Sequence, residues 1–327
     1  MLKRSSIVAD PAELQDYYRD LERLATRALW MQSPAPSEPR SRAVPHVWHW
    51  RELRSHAMRA AELVGTEEAE RRVLVLANPG APGLGATNTV SANIQVVMPG
   101  EIARSHRHSA AALRMVIESS GGYTVVNGTK LPMLPGDLVL TPSWTWHDHA
   151  NDSDMPMLWL DGLDSALVRM LEATFYEAHP QEAQPLGHAL NGSSWRYPYT
   201  EMRRALDERA ARGEADRFDG VIIDYTNPVN GGPVMPTIGC HLQLLRPGEH
   251  THAHRHTSNT AYHVVEGEGY SIVDGTRLDW GGKDIFVVPT WMFHEHVNTA
   301  DRPAILFSHT DAPMMHTLGL WREEPCP

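Results

Sequence analysis

Cysteine, basic residues and long apolar runs are all scarce in this 327-residue chain, and each shortage excludes a class of protein. Cys240 and Cys326 are the only cysteines, too few for a disulfide framework or a thiolate metal cage. Acidic residues outnumber basic ones 40 to 29, and the formal net charge of -11 opposes binding to nucleic acid or to an anionic membrane surface. No segment approaches the roughly 20 apolar residues of a membrane helix, and no signal peptide is recognised at the start. We therefore expect a cytoplasmic protein.

Histidine, by contrast, is abundant, with 19 residues concentrated in a few short segments. The neutral imidazole of histidine is the commonest metal ligand in proteins. With 42% hydrophobic and 21% charged residues, the chain has the composition of a folded globular protein, and its length favours two domains.

The histidine-rich segments belong to an internal repeat. Pro-Gly-Glu at 99–101 followed by His106 and His108 recurs 148 positions later, as Pro-Gly-Glu at 247–249 followed by His254 and His256. Further along, Pro142, Trp144, His147, His149 and Asn151 recur 147 positions later as Pro289, Trp291, His294, His296 and Asn298. Matches this dense in one order indicate two copies of one domain.

Each copy consists of short segments rich in Val, Ile, Leu and aromatic residues, a rhythm typical of an antiparallel sandwich or barrel. In the first copy, strands are predicted over 72–76, 93–98, 113–118, 123–126 and 137–141, with hairpin turns at Asn127-Gly128 and, in the second copy, at Asp274-Gly275. Helices are predicted over 10–30, 51–63 and 200–212, an extended proline-rich arm over 33–45, and a loop-like boundary between the copies over 179–194.

The spacing of three histidines in the first copy predicts a metal site. His106 and His108 are two residues apart, so both face the same side of a strand, and His147 would join them from a neighbouring strand. Three neutral imidazoles leave coordination positions open, which is typical of a catalytic metal rather than a purely structural one. The corresponding residues His254, His256 and His294 form a second candidate metal site.

The histidines lie in two motifs that resemble those of the cupins. The motifs are Gly100-x5-His106-x-His108 and Gly136-x5-Pro142-x4-His147-x3-Asn151, and the second copy repeats them with Lys283 in place of the second glycine. The resemblance implies an all-β bicupin, with two tandem double-stranded β-helix (jelly-roll) barrels and N-terminal and linker helices. The expected domains are an N-terminal helical arm (1–70), a catalytic cupin domain (71–178), a linker with a helix (179–215) and a second cupin domain (216–327).

One familiar cupin ligand is missing. The usual first motif also carries a glutamate four or five residues after its second histidine, and here Ala112 and Leu113 occupy those positions. Together with further segments, this loss makes the chain resemble the gentisate 1,2-dioxygenase group, which includes salicylate and 1-hydroxy-2-naphthoate dioxygenases. The segments are Glu70-Arg71-Arg72, 77–80 (Ala-Asn-Pro-Gly), 144–149 (Trp-Thr-Trp-His-Asp-His) and 159–164 (Trp-Leu-Asp-Gly-Leu-Asp).

The resemblance implies a reaction, a cofactor and an assembly. It implies that Fe(II), held by the three histidines, serves a dioxygenase that inserts O2 into a small aromatic hydroxy acid. Cleavage falls between the carboxyl- and hydroxyl-bearing carbons, which gives maleylpyruvate from gentisate. The family also implies a homotetramer, with the N-terminal arm a candidate for subunit contacts.

Charged residues near the ligands are expected to bind the substrate. Arg114 lies six residues after His108, so on an unbroken strand it would face the same interior and bind a substrate carboxylate through its guanidinium fork. The resemblance implies a second carboxylate contact from Arg71 or Arg72.

Three polar residues complete the expected pocket. His149 lies two residues after His147, so it would share the cavity as an acid or base near the substrate hydroxyl. The resemblance supplies Gln95 and Asp161 as the other polar pocket residues. We assign His149 and Asp161 to catalysis and all three to substrate binding.

The second copy keeps its histidines and has Gln243 in place of Gln95, but it lacks the charged residues. At the same offset, Asp219 and Gly220 stand for Arg71 and Arg72, Tyr262 for Arg114, and Ser308 for Asp161. We hypothesise that this copy is structural, or binds metal without turning over the substrate. His252, His263 and His296 are expected to be solvent or packing residues.

Several alternatives remain open at this point. Ser91 stands where the family tends to place an aromatic residue, so a larger pocket would admit a substituted gentisate or salicylate, or the bicyclic 1-hydroxy-2-naphthoate. Salicylate itself is a further alternative substrate. Other bicupins are different metal-dependent enzymes or non-catalytic binding proteins. Complete histidine sets without the glutamate favour the dioxygenase over both.

Overall fold

The computed structural model describes residues 10–83, 85–187 and 195–327, which fall into two compact units divided after residue 40. The first unit contains helix α1 (Pro11–Arg23), whose N-terminus is capped by the Asp10 carboxylate accepting from the backbone N–H of Ala12, and a short 3-10 turn (Leu29–Met31). The helix is shorter than the predicted 10–30 because Ala25 adopts a left-handed backbone conformation, with φ of 52°.

The second unit begins with the elements that precede the first barrel and continues through that barrel. In chain order these are β1 (His46–Trp48), α2 (Trp50–Leu63), α3 (Thr66–Ala69), β2 (Arg72–Val75), β3 (Ser91–Val97), β4 (Ile102–His108), β5 (Ala112–Glu118), β6 (Gly122–Val126), β7 (Thr129–Pro132), β8 (Leu138–Thr141), β9 (His147–Asn151), β10 (Met157–Leu163), α4 (Ser165–Met170) and β11 (Tyr176–Ala178).

The same succession then repeats in the second half. Its elements are β12 (Arg196–Tyr197), α5 (Tyr199–Ala211), β13 (Val221–Asp224), β14 (Gly239–Leu245), β15 (His254–His256), β16 (Thr260–Glu266), β17 (Glu268–Val273), β18 (Thr276–Gly281), β19 (Ile285–Val288), β20 (His294–Asn298), β21 (Ala304–Thr310), α6 (Ala312–Thr317) and β22 (Glu323–Pro325). Within the described ranges, no helix is long and apolar enough to cross a membrane.

Each barrel is built from a pair of facing antiparallel sheets. The first has strand orders β12-β8-β5-β10-β3-β2 and β11-β4-β9-β6-β7, and the second has β1-β19-β16-β21-β14-β13 and β18-β17-β20-β15-β22. The bicupin prediction is confirmed, and the five strands predicted in the first copy all occur within two residues of their predicted bounds. Helices α2 and α5 match the predicted helices at 51–63 and 200–212 within one residue at each end.

Both predicted hairpin turns are present. Asn127 and Gly128 have φ of 46° and 81°, and Asp274 and Gly275 have φ of 48° and 79°. Two-residue turns of this kind need positive φ at both positions, which Asn, Asp and Gly tolerate. Of the predicted boundary loop at 179–194, residues 188–194 lie outside the described residues, and the rest forms no helix or strand.

The two copies exchange their leading strands. Strand β1 precedes the first barrel but pairs with β19 of the second, and β12 precedes the second barrel but pairs with β8 of the first. A carboxylate of the receiving barrel then holds the start of the following helix: Asp284 accepts from the Trp50 N–H at 2.7 Å, and Asp137 from the Tyr199 N–H at 2.9 Å. The expected domain boundaries remain a prediction, and each barrel draws one strand from outside its expected range.

The larger sheets of the two barrels pack against each other, so their strands are buried on both faces. Side chains inside the first barrel include Val97, Val116, Leu131, Val139 and Trp159, and those between the barrels include Ile94, Leu113, Met115, Leu160, Leu242 and Phe307. Two equivalent hydrogen bonds cross this interface. The Thr237 hydroxyl donates to Asp164 at 2.6 Å, and the Thr89 hydroxyl donates to Asp311, as expected for two copies related by an approximate two-fold axis.

Candidate active site

The three predicted ligands of the first copy meet inside the first barrel. His106 and His108 lie at the end of β4, and His147 begins β9, directly opposite His106 in the sheet register. One nitrogen from each ring lies within 4.8 Å of the others, and the ring centroid of His147 is 4.6 Å from that of His106 and 4.9 Å from that of His108. This spacing allows a single metal ion to contact all three.

Backbone carbonyls fix the orientation of two of these rings. Nδ1 of His108 lies 2.7 Å from the Ala110 carbonyl oxygen, and Nδ1 of His147 lies 3.0 Å from that of Thr145. Since a carbonyl oxygen only accepts, each Nδ1 carries the hydrogen and each Nε2 presents a lone pair. Nε2 of His147 is buried and has no hydrogen-bond partner among the described residues, as expected of a nitrogen aimed at a metal ion.

The protein interior holds the triad in its neutral form. Burial lowers the pKa of His106 to about 2 and of His108 to about 4, and the nearby arginine charges contribute to both shifts. Burial also lowers the pKa of His147 well below its usual range. Neutral imidazole is the form that binds metal, so the site is ready for an ion at physiological pH.

Arg114 reaches the same interior, although not along the path that the sequence suggested. The assumption of an unbroken strand is wrong, because β4 ends at His108 and β5 begins at Ala112 in the opposite sheet. Along β5, Leu113 and Met115 face the core between the barrels, so Arg114 faces inward. It is 2% exposed, and its Nη1 hydrogen-bonds the hydroxyl of Thr141.

Asp161 is the neighbour of Arg114 on the adjacent strand of the same sheet. The two residues are register partners on β10 and β5, and Asp161 Oδ1 is 3.6 Å from Arg114 Nε. Burial raises the pKa of Asp161, and the positive charge of Arg114 opposes that rise. The two side chains form a buried charged pair beside the histidines.

The two candidate arginines lie at the start of β2, and the structure brings only Arg71 near the triad. Arg71 Nη2 donates to the Arg104 carbonyl at 2.8 Å, and its charge contributes to lowering the pKa of His106. Burial lowers the pKa of Arg71 itself to about 10. Arg72 is instead paired with Glu101 and donates to the Ala61 carbonyl, because the next residue along the chain points to the other side.

His149 and Gln95 lie in the barrel interior with unpartnered polar atoms. Both are almost fully buried, and among the described residues neither ring nitrogen of His149 nor Nε2 of Gln95 has a hydrogen-bond partner. Burial lowers the pKa of His149 well below its usual range, so the ring is neutral. Since buried polar groups are normally hydrogen-bonded, these atoms indicate a cavity suited to a polar ligand.

Sequence reasoning missed two residues at the edge of this site. Glu70 Oε1 lies 3.7 Å from Nδ1 of His106, and the Tyr176 hydroxyl donates to the same Oε1 at 2.8 Å. Glu70 belongs to the Glu-Arg-Arg segment that carried the family resemblance, which was the available signal. Tyr176 had none, because β11 joins the sheet beside β4 from about 70 residues further along the chain.

The second triad has the same construction. One nitrogen from each of His254, His256 and His294 lies within 4.8 Å of the others. Carbonyl oxygens of Ser258 and Met292 accept from Nδ1 of His256 and His294, at 3.1 Å and 3.0 Å. Burial lowers the pKa of His254 to about 3 and of His256 to about 4. This site is also suited to a metal ion.

The pocket beside the second triad is different. Tyr262 and Ser308 are register partners in the second barrel, as Arg114 and Asp161 are in the first. The charged pair is therefore replaced by a phenol and an aliphatic hydroxyl. The Tyr262 ring stacks on Phe286 at 4.7 Å. These hydroxyls can donate hydrogen bonds, but they lack the positive charge with which Arg114 would stabilise a carboxylate.

One proposed correspondence between the copies is wrong by a residue. Val73 pairs with Gln95 and Ile222 pairs with Gln243, so this part of the repeat is offset by 149 positions. The counterparts of Arg71 and Arg72 are therefore Gly220 and Val221, and the counterpart of Glu70 is Asp219. The segment between the paired strands is one residue shorter in the second copy, which the alignment of the histidine motifs did not reveal.

An indole ring lies against one ligand of the second triad. Trp321 stacks on His256, with ring centroids 5.5 Å apart, and His316 stacks on Trp321 at 4.4 Å. In the first copy the corresponding position is Thr174, since β11 and β22 pair with β4 and β15 in the same way. A much smaller side chain thus stands where the second copy has an indole ring.

The fold and the two triads define the class of protein, a bicupin with two candidate metal centres. The family model described as Cupin domain matches residues 93–162 and 241–310. A 5-aminosalicylate 1,2-dioxygenase of Comamonas sp is 41% identical, over 95% of this chain and 90% of the relative. A gentisate 1,2 dioxygenase of Aquipseudomonas alcaligenes is 37% identical, over 95% of this chain and 96% of that protein.

Comparison with solved structures identifies relatives of the same kind. The salicylate 1,2-dioxygenase from Pseudaminobacter salicylatoxidans is similar with a TM-score of 0.88 and 35% sequence identity, over 98% of this chain and 99% of that chain. The chain therefore belongs to the gentisate and salicylate 1,2-dioxygenase family of ring-cleaving cupin enzymes. This membership decides against a non-catalytic binding protein and against an unrelated cupin enzyme.

Proposed function

We propose that this protein is an Fe(II)-dependent dioxygenase that opens gentisate between its carboxyl- and hydroxyl-bearing carbons, giving maleylpyruvate. The observation that carries the proposal is the histidine triad of the first barrel together with two arginines, Arg71 and Arg114, whose positive charges help to lower the pKa of His147. A metal ion beside two cations needs anions between them, and a chelating hydroxy acid is such an anion.

His106, His108 and His147 would hold the iron. Their ligand set suits Fe(II), since three neutral imidazoles leave the full charge of the ion to be balanced by the substrate. When bound there, Fe(II) would supply open positions for substrate and O2 and the capacity to pass electron density between them.

Arg71 and Arg114 would bind the substrate carboxylate. Their positive charges disfavour each other, and each lowers the tendency of neighbouring histidines to accept a proton. Within the pocket, Asp161 offsets only part of this positive charge. An anionic ligand therefore gains electrostatic stabilisation here that a neutral ring would not.

His149 would accept the proton of the ring hydroxyl beside the carboxylate. Its neutral ring is buried against Trp159, with centroids 4.9 Å apart, and both nitrogens are free of hydrogen bonds to described residues. Removing this proton raises the electron density of the ring before oxygen is inserted. Asp161 and Gln95 would orient the substrate through its polar groups.

The alternative substrates are those of the relatives. One relative acts on 5-aminosalicylate, another on 1-hydroxy-2-naphthoate, and a salicylate 1,2-dioxygenase forms adducts with gentisate. All are aromatic acids with a hydroxyl beside the carboxylate. Gentisate and 5-aminosalicylate also share an electron-donating group para to that hydroxyl, so we rank 5-aminosalicylate first among the substituted salicylates. Ser91 is small, and its hydroxyl donates to the Leu163 carbonyl, so we keep the bicyclic acid as a further alternative. Salicylate, which lacks the second hydroxyl of gentisate, is another.

We propose further that the second triad binds a metal ion without turning over the substrate. The missing arginines and the Trp321 ring stacked on His256 support this role. Homotetramer assembly and a cytoplasmic location remain proposals that rest on the family resemblance and on the sequence.

Oxygen uptake tests the proposed substrate. Anaerobically purified, Fe(II)-loaded protein is given gentisate, 5-aminosalicylate, salicylate and 1-hydroxy-2-naphthoate in parallel, with ultraviolet spectra of the products. We expect uptake of one O2 per gentisate and the spectrum of maleylpyruvate. Uptake with a different acid alone would reassign the substrate, and uptake with none would overturn the proposed function.

A further inference from the structure

We propose that Glu70 is a positioning residue for the first metal centre, whose carboxylate accepts from Nδ1 of His106 and so directs Nε2 of that ring at the metal. This inference rests on the proposed metal site. The observation behind it is a gap in the hydrogen bonding of the triad. His108 and His147 have Nδ1 partners on the backbone, whereas Nδ1 of His106 is buried without a hydrogen bond to any described residue.

Glu70 is placed to fill this gap. Its Oε1 lies 3.7 Å from Nδ1 of His106, and a shift of about 0.5 Å would bring the two atoms within hydrogen-bond distance. A histidine ligand generally donates its second ring N–H to a carboxylate or carbonyl, which selects the tautomer and raises the basicity of the ligating nitrogen. Without such a partner, the proton of His106 could sit on either nitrogen.

Two features hold the carboxylate near His106. The Tyr176 hydroxyl donates to Glu70 Oε1 at 2.8 Å, and the Tyr176 ring lies 5.1 Å from the His106 ring. The backbone of Glu70 has φ of 34°, an uncommon conformation for a residue other than glycine. This turn between α3 and β2 places the carboxylate beside one ligand, while the next residue, Arg71, is directed to the pocket.

The repeat provides an independent indication. Asp219 occupies the position of Glu70 in the second copy, and Nδ1 of His254, the counterpart of His106, likewise has no hydrogen bond to a described residue. The tyrosine is not repeated, since Glu323 takes the place of Tyr176 opposite the second histidine of the motif. An acid thus occupies the same register position in both copies, and a tyrosine hydroxyl donates to it in the first.

Metal affinity is the direct test. Co(II) binding to the full chain is measured by chelator competition and by its visible spectrum, in a His294→Ala background that removes the second triad. We expect Glu70→Gln to weaken Co(II) binding about 10- to 100-fold and to alter the spectrum, with partial rescue by Glu70→Asp. Glu67→Gln, an exposed acid on α3, is the matched control and should leave binding unchanged.

Each outcome separates this inference from the proposed function. Equal Co(II) affinity and spectra for Glu70→Gln and the parent protein would overturn the positioning role while leaving the metal site in place. Absence of Co(II) binding in a folded parent protein would overturn both. If His294→Ala fails to fold, the same comparison is made in the otherwise unchanged chain, where the first site should lose affinity and the second should not.

Discussion

The two barrels carry matching histidine triads, but the residues beside those triads differ in charge. The first has Arg114 and Asp161 paired across its sheet, and the second has Tyr262 and Ser308 at the same positions. Both triads are buried, neutral and oriented by equivalent backbone carbonyls. The difference leads to our proposal that three histidines suffice for a metal site, whereas recognition of an anionic substrate depends on charged residues of the opposite sheet.

The aromatic neighbours of the two triads differ as well as the charges. Trp321 stacks on His256 of the second triad, and the corresponding position in the first copy is Thr174. In the first triad, the Tyr176 ring lies 5.1 Å from His106 instead. We propose that the chain divides its duplicated fold between a catalytic site in the first barrel and a metal site without turnover in the second.

The largest expected effect comes from removing one triad at a time. His106→Ala with His108→Ala should lower the rate of oxygen uptake with gentisate by about 1000-fold or more, because two of three ligands are lost. The matched His254→Ala, His256→Ala protein should keep most of its activity. Metal content and oxygen uptake of both proteins measure this. Retained activity in the first pair would refute the assignment of catalysis to the first barrel.

The next largest effect is expected from the charged pair of Arg114 and Asp161. Arg114→Met should lower kcat/KM for gentisate by about 100-fold, equivalent to about 3 kcal/mol, because the carboxylate loses a charge-assisted hydrogen bond. Tyr262→Phe, at the corresponding position of the second barrel, is the control and should have little effect. Steady-state kinetics with both variants decide the matter. Similar small losses in both would mean that Arg114 does not bind substrate.

A third prediction uses a position where the copies must differ. Gly162 and His309 are equivalent and face each other between the barrels, and a Cβ at Gly162 would lie 2.8 Å from His309 Nε2. Burial lowers the pKa of His309 to about 4, while its Nε2 donates to the Ser91 carbonyl at 3.0 Å. The ring is therefore neutral in the folded protein, and the unfolded chain binds more protons between about pH 6.5 and pH 4.

Stability should therefore fall as the pH falls through this window. His309 should contribute about 2 kcal/mol to the loss of unfolding free energy between pH 7 and pH 5. Urea unfolding at the two pH values measures it, with His309→Gln, which keeps an N–H donor, as the comparison. The variant should lose less stability on acidification than the parent. An identical loss in both would show that His309 is not held neutral by the fold.

The smallest expected effect tests the symmetry of the interface. Thr237→Val removes the hydrogen bond to Asp164, whereas Thr89→Val removes both the hydrogen bond to Asp311 and the one that the Thr89 hydroxyl accepts from Asn259. Thr237→Val should lower the free energy of unfolding by about 1 kcal/mol, and Thr89→Val should lower it by more, because a second buried partner is left unpaired. Denaturant titration of the two single variants checks this. A larger loss for Thr237→Val than for Thr89→Val would contradict this account of the interface.

Much of the fold and of the metal site follows from the sequence because its signals are local. The repeated histidine motifs, the alternation of strands and the Asn-Gly and Asp-Gly turns depend on spacing within one or two elements. The exchange of β1 and β12 could not be predicted, since pairing with a distant strand leaves no local pattern. Arg114 does face the barrel interior, as its spacing from His108 predicts. The assumption of one unbroken strand is wrong, however, because β5 lies in the other sheet.

The edge of the site was the hardest part to predict. Glu70 and Tyr176 are 106 residues apart. They meet because β11 pairs with the ligand strand β4, while the turn before β2 leads into the opposite sheet and brings Glu70 beside His106. The counterparts of Arg71 and Arg72 were misassigned by one residue, since a change in connecting length is invisible until the register is known. Residues brought together from separate elements therefore required the structure.

The most direct test of the division between the barrels is the number of gentisate molecules bound per chain. Fe(II)-loaded protein is titrated with gentisate without oxygen by calorimetry, with metal content measured on the same sample. The account predicts one gentisate per chain even when both triads hold metal, with binding weakened strongly by Arg114→Met and unchanged by His254→Ala, His256→Ala. Two gentisate molecules per chain, or binding that depends on the second triad, would contradict it.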